Sequence, residues 1–408
     1  MSHPHPARDC ILCGRCLDVC PVFLASGKEE LSPKAKHQLM AALRSNPQLL
    51  EALPARLLAD KCVSCGRCEK ACPQGLSVPA ALGALRAEHA GWPQWLWQRW
   101  INGGNILWPA MATLGRMAPR LPAPAAARPL MEKLAAMHDT PPQPWFRMAA
   151  PAAGTQPPLR PVMLFSGCTA RRIRPRWSSK ATALLELAGI RPQPETAFTC
   201  CGATLEHAGL PDAARQARHA NITAWHNADR PLLVTFCATC AHGLHGYARH
   251  DELWHETPPD SATLWTQSVV PLSVFLQKFP VQVLDTAPEW FRYHQPCHAP
   301  AQHDPDAALL YAMAAQTPAA AAHGRRIRPA GMTTRQCCGM GGVMQLAAPS
   351  LCGMVNAACW QALDSLCPAQ DNACPPPVVT GCSGCTLQLS GTAPEHVAVH
   401  HWLDVLTV

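Results

Sequence analysis

The chain has 408 residues, among them 22 Cys, 42 Pro and 25 Gly, with 15 % charged and 48 % apolar residues. That apolar fraction excludes a disordered chain, and a net charge of +7 spread along the sequence gives no basic block of the kind that nucleic acid requires. The length suggests about three domains. No apolar run reaches the ~18 residues of a spanning helix. Met1-Ser2-His3-Pro4-His5-Pro6 lacks the basic and apolar stretches of a secretory leader, so none is expected.

The cysteines fall in tight C-x-x-C groups. A chain this long can bury several cores, so it has little need of a disulfide framework, and metal ligation in a reducing compartment is the expectation. Near the start, C-I-L-C-G-R-C-L-D-V-C-P places Cys10, Cys13, Cys16 and Cys20 before Pro21. Later, C-V-S-C-G-R-C-E-K-A-C-P places Cys62, Cys65, Cys68 and Cys72 before Pro73. Both match the bacterial ferredoxin run, in which three thiolates wrap one cluster and the fourth ligates the other. Cys10, Cys13, Cys16 and Cys72 are therefore assigned to cluster 1. Cys62, Cys65, Cys68 and Cys20 are assigned to cluster 2. Structural zinc is the competing reading, but it favours paired ligands over this asymmetric spacing. The insert between the motifs predicts a helix from Pro33 to Arg44, with Ser32 as N-cap and Pro at its first position, and a second from Pro47 to Asp60.

Residues 89–160 change character. Five Trp, Trp92, Trp95, Trp97, Trp100 and Trp108, fall within seventeen residues that take in one predicted helix, Gln94 to Ile101, and the start of another, Asn105 to Arg120. An interfacial helix pair on a membrane and packing against protein both suit them. From Pro119 to Pro161 the Ala/Pro-rich composition reads as linker or packed coil.

The rest of the chain carries an internal repeat. A strand from Val162 delivers Cys168, and one from Phe291 delivers Cys297. Cys200-Cys201-Gly202 recurs as Cys337-Cys338-Gly339. A strand ending in Cys237-x2-Cys240 recurs as one ending in Cys382-x2-Cys385, and Asn221 with Trp225 recurs as Asn356 with Trp360. Each repeat thus offers five thiols. A cubane needs four, so a larger or non-cubane cluster suits five, and the glycine after each Cys pair permits the bend that brings adjacent thiols to one site. Cys352, Cys359, Cys367 and Cys374 remain, at irregular spacing; Cys352 and Cys359 read as helix-packing residues.

The repeat C-x31-CCG-x34-C-x2-C followed by C-x39-CCG-x42-C-x2-C resembles the CCG domains of the heterodisulfide reductases. Together with the twin ferredoxin motifs and the Trp/Arg segment, it is similar to the iron–sulfur subunits of glycolate oxidase, lactate dehydrogenase and anaerobic glycerol-3-phosphate dehydrogenase. The resemblance implies an α+β multidomain chain. An α-helical twin [4Fe-4S] ferredoxin domain (1–88) and a Trp-rich and Ala/Pro-rich linker (89–160) precede two pseudo-symmetric α/β CCG domains (161–285 and 286–408). It implies that Cys168, Cys200, Cys201, Cys237 and Cys240 hold one CCG cluster and Cys297, Cys337, Cys338, Cys382 and Cys385 another. The cofactors are then two [4Fe-4S] cubanes plus one or two further clusters.

No G-x-G-x-x-G fingerprint follows a strand, and no P-loop, nucleophile elbow or H-E-x-x-H is present. No flavin is therefore expected in this chain, nor catalysis by it alone. His242, His245, His294 and His298 flank the cysteine motifs, to orient a substrate or donate protons near a cluster, or as surface residues or residues supporting the ligands, and Arg171, Arg172, Arg174 and Arg176 suggest an acidic partner, charge compensation for a cluster, or a solvated face. The function implied is relay of electrons from an FAD-containing 2-hydroxyacid dehydrogenase subunit, acting on glycolate or lactate, to quinone or a membrane carrier. The location implied is the cytoplasm, with the inner face of the membrane as a peripheral site. Reduction of a disulfide at a CCG cluster is the alternative.

Overall fold

The computed structural model describes residues 10–46, 48, 57–117, 128–138, 140–151, 158–194, 198–255, 257–300, 302–316, 326–368 and 375–408. Cys374, Arg120 and most of the helix expected from Pro47 lie outside the described residues; of that helix, residues 57–59 are helical. The chain forms two compact units. The first gathers Met1–Asn102, Gly202–Gln216 and Arg335–Ala362; the second gathers Gly103–Cys201, Ala217–Thr334 and Leu363–Val408. Neither is a single continuous stretch of sequence.

The first unit is helical. Helix Pro33–Ser45 starts where Ser32 Oγ accepts the Ala35 N–H at 3.1 Å, with Pro33 supplying a first-turn residue whose missing N–H costs nothing. Helix Val78–Glu88 starts in the same way, Ser77 Oγ accepting from Ala80 N–H. Leu82 and Leu85 of that helix pack with Leu43, Ala59 and Val78 against Cys62 and Cys68, so a small apolar core lies directly under cysteine motifs. Helix Trp92–Asn102 leaves Trp92, Trp95 and Leu96 exposed. Helix Pro349–Asp364 carries Cys352 and Cys359, both buried.

The second unit is mixed helix and sheet. Strands β2 (Val162–Phe165), β3 (Leu232–Thr235) and β4 (Val269–Pro271) form one parallel sheet in the order β2-β3-β4. Strands β6 (Trp290–His294), β7 (Arg328–Thr333), β8 (Val378–Thr380) and β9 (Val399–His401) form another in the order β7-β6-β8-β9, also parallel. Buried parallel strands read as unbroken apolar runs, and β2 is buried at all four positions. Helix Pro175–Leu187 packs Trp177, Ala181, Leu184 and Leu185 into the common core with Val234, Phe291, Tyr293 and Trp402.

The Ala/Pro-rich segment is not simply linker. It contains helix Arg128–Met137 and strand β1 (Phe146–Met148). Strand β1 lies between β5 (Val281–Val283, antiparallel) and β10 (Leu406–Thr407, parallel). The physical reason is twofold: alanine is the best helix former, and Phe146 and Met148 bury the apolar side of a short strand whose partners are far away in sequence.

Candidate metal centres

In the first unit the two ferredoxin-type motifs fold across each other. Cys16 is raised above its ordinary value by burial, and it also feels the charges of Cys10, Cys13 and Cys72. Cys20 feels Cys62 instead, and burial pushes the Cys68 thiol up to about 12, helped by Cys62 and Cys20. An open hollow of about 400 Å³ is lined by Cys10, Cys13, Cys16, Cys68 and Cys72. A second, of about 320 Å³, is lined by Cys20, Cys62, Cys65 and Cys68.

The surroundings of the second hollow are polar in a specific way. Lys36 is buried, donates from Nζ to the Lys61 carbonyl at 2.6 Å, and draws the Cys20 pKa down against the upward push of burial. Arg86 is also buried; it donates to the carbonyls of Cys62 (3.1 Å) and His207 and to Ser64 Oγ (3.4 Å), with Asp60 at 3.7 Å. The Ser64 N–H points at Cys62 Sγ at 3.4 Å. Neither cation was singled out by sequence reasoning. Their common signal is a basic residue on a helix face otherwise turned to the core, opposite a cysteine motif.

In the second unit the first repeat's cysteines meet. Cys168 follows β2 on helix Gly167–Ile173, and Cys237 caps helix Ala238–His245 after β3. A hydrogen bond with Cys200, followed by burial, holds the Cys168 thiol well above its ordinary range. Cys240 is raised likewise by hydrogen bonds with Cys201 and Cys237. Cys237 goes the other way, its pKa lowered by hydrogen bonds from Cys240 and Cys382. Such a set of convergent, largely buried sulfur donors fits iron–sulfur clusters well. Arg172 moderates Cys168 electrostatically and lies over the Trp108 ring at 4.8 Å.

Of the second repeat, Cys382 and Cys385 hydrogen-bond each other, and Cys382 also bonds Cys237. Cys297 is half-buried in the same unit. Cys337 and Cys338 lie in the first unit, ahead of helix Pro349–Asp364.

The Cys-Cys-Gly turns are built alike. Gly202 and Gly339 adopt φ of 78° and 80°, and a Cβ on Gly339 would stand 2.8 Å from the Cys352 carbonyl oxygen, so only glycine fits there. Asn356 Nδ2 donates to the Cys338 carbonyl at 2.9 Å. In the other turn Asn221 Nδ2 donates to the Cys200 carbonyl at 3.0 Å, while its Oδ1 accepts the Thr199 N–H at 2.7 Å. Tyr247 donates its hydroxyl to the Cys201 carbonyl. The sequence marks both asparagines as repeat landmarks, but only the structure gives them work: they pin the bend that aims adjacent thiols.

Of the arginines after Cys168, Arg171 is exposed, Arg172 and Arg176 are half-buried and Arg174 is buried. Arg174 is buried and donates to the carbonyls of Ala136, Met137 and His138, and Arg176 pairs with Asp404 at 2.9 Å. Arg171 donates to the Phe198 carbonyl. Charge compensation suits Arg172, which draws the Cys168 pKa down. Among the histidines, His298 shares a hydrogen bond with Thr239 at 2.9 Å and stacks on His242 at 4.6 Å, and His294 bonds Thr333.

Comparison with known proteins agrees with this chemistry. The family described as "4Fe-4S dicluster domain" matches residues 6–76, and that described as "Cysteine-rich domain" (CCG) matches residues 162–245. The "Glycolate oxidase iron-sulfur subunit" of Escherichia coli (strain K12) is 23 % identical over 98 % of this chain and 93 % of its own length. The "Probable glycolate oxidase iron-sulfur subunit" of Bacillus subtilis (strain 168) is 26 % identical over 71 % of this chain and 70 % of its own. No solved structure gives a significant match. No helix among the described residues is long and apolar enough to cross a membrane.

Proposed function

We propose that this chain, a CCG-domain iron–sulfur protein, is the electron-transfer subunit of a glycolate oxidase-type complex and works beside a separate catalytic subunit. The observation that carries this reading is the convergence of Cys168, Cys200, Cys201, Cys237 and Cys240 in one unit of a chain whose other unit holds two crossed four-cysteine sets. Clusters bound there supply one-electron steps, whereas oxidation of a 2-hydroxy acid removes two electrons together. An FAD-bearing partner is the converter between the two modes, and quinone or another membrane carrier is the outlet.

The ligand sets follow the same reading. Cys10, Cys13, Cys16 and Cys72 hold one cubane, and Cys20, Cys62, Cys65 and Cys68 the other. The first five CCG cysteines hold a further cluster. Cys297, Cys337, Cys338, Cys382 and Cys385 form the matching set of a pseudo-symmetric second CCG domain. The division at residues 88, 160 and 285 describes the sequence modules, while the compact units cut across them. A peripheral position on a membrane, at the cytoplasmic inner face, is part of the same reading; exposed Trp92 and Trp95 support contact with a lipid surface, and flotation with anionic vesicles checks it.

Anaerobic preparation of the whole chain should give iron and acid-labile sulfide, with clusters that chemical reductant reduces and glycolate does not. Adding the flavoprotein partner should make glycolate reduce them. Zinc without sulfide would overturn the cluster reading. Turnover of glycolate, or of a disulfide, by the flavin-free chain would move catalysis onto a CCG site.

A further inference from the structure

The two C-x-x-C motifs clasp each other within the second unit. Cys237-Ala238-Thr239-Cys240 opens helix Ala238–His245, and Cys382-Ser383-Gly384-Cys385 opens helix Ser383–Ser390. The Ala238 N–H donates to the Gly381 carbonyl at 2.9 Å. The Ser383 N–H points at Cys237 Sγ at 3.4 Å, and Thr239 Oγ1 lies 3.1 Å from Cys382 Sγ. Each motif therefore serves the leading cysteine of the other.

The exchange is unequal. Cys237 receives a backbone amide, which any residue but proline at position 383 would supply. Cys382 receives a side-chain hydroxyl, which depends on the identity of residue 239. Gly384, at the corresponding place of the second motif, has no side chain to return the bond. A hydroxyl has one proton to give and two lone pairs to accept with. A metal-bound thiolate has no proton, so the Thr239 proton must point at Cys382. His298 Nδ1, 2.9 Å from the same oxygen, must then donate to it, and the stack on His242, parallel to within 1°, holds that ring in place.

We propose that Thr239 is a positioning residue that donates a hydrogen bond across the clasp to the Cys382 thiolate and so raises the reduction potential of the centre that Cys382 serves. Electron gain makes ligand sulfur more negative, and a donor aimed at that sulfur stabilises the reduced state more than the oxidised one. The inference rests on the reading of Cys382 as a cluster ligand.

The test is a redox titration of the whole anaerobic chain followed by electron paramagnetic resonance, with T239V, T239S and C382S. T239V removes the hydroxyl while keeping the shape. Its midpoint for the Cys382-dependent signal should move negative by at least about tenfold in the reduced-to-oxidised ratio at fixed potential, which is 59 mV for one electron. T239S keeps the hydroxyl and should titrate like the parent. A parental midpoint in T239V, or an equal shift in T239S, overturns the proposal. If T239V fails to load iron, T239A is read by the same criteria. Failure of the underlying ligand reading looks different: C382S would then leave iron content and every signal unchanged.

Discussion

The two four-cysteine sets of the first unit share one spacing and live in opposite surroundings. Cys13 is exposed and Cys10, Cys16 and Cys72 are half-buried, whereas Cys20, Cys62, Cys65 and Cys68 are all buried. Four thiolates around iron carry net negative charge, and taking that charge out of water is costly unless cations and N–H donors replace the solvent. Around the buried set the replacement is visible: Lys36 from one helix, Arg86 from another, and the Ser64 amide. Water can serve the exposed set. Motif spacing therefore fixes how a cluster is wrapped, and residues outside the motif decide how its charge is compensated.

The largest way to break this contrast is Arg86→Met. It strips donors from the Cys62 and His207 carbonyls and Ser64 and leaves Asp60 buried without its cation. Loss of one member of a buried pair costs about 3–5 kcal/mol. Denaturant unfolding should show that loss, and the buried cluster should be depleted of iron before the exposed one. Unchanged stability would mean that the guanidinium is not compensating buried charge. A smaller effect is kinetic. Under a chelator the two clusters should bleach in separate phases, the exposed one about tenfold faster, which corresponds to about 1.4 kcal/mol in barrier. Cys13→Ser should quicken only the fast phase, and a single phase would erase the distinction. The gentlest probe is Lys36→Met, which removes a positive charge that acts on Cys20 and so weakens attraction for the added electron. It should lower the potential of the Cys20-containing cluster and leave its neighbour's in place; equal movement of both would show that Lys36 acts by distorting the fold.

Much of this was legible in the sequence because thiol ligation constrains spacing tightly. The cysteine motifs, the capped helix at Pro33 and the strands leading to Cys168, Cys237 and Cys382 could all be read directly. Long-range partnerships could not. Strand β1 is three residues in an Ala/Pro-rich stretch, and nothing local announces that Leu406 will pair with Phe146. Arg174 and Arg176 sit in a basic cluster that resembles a surface, yet carbonyls at 136–138 and the Asp404 carboxylate claim them. Lys36 and Arg86 look like ordinary helix charges until the fold turns them inward. Each miss concerns a polar group whose partner is remote in sequence.

The placement of β1 between β5 and β10 also has a consequence for how the protein is made. Strand β1 is synthesised early, and its parallel partner Leu406–Thr407 emerges last among the strands. Closing so long a loop is slow, and it leaves the edge of β1 open during translation. The second unit therefore cannot be finished progressively on the ribosome, and the first unit is in the same position because it draws on Arg335–Ala362. Nascent chains should stay sensitive to protease within the second unit until the segment bearing β10 has emerged.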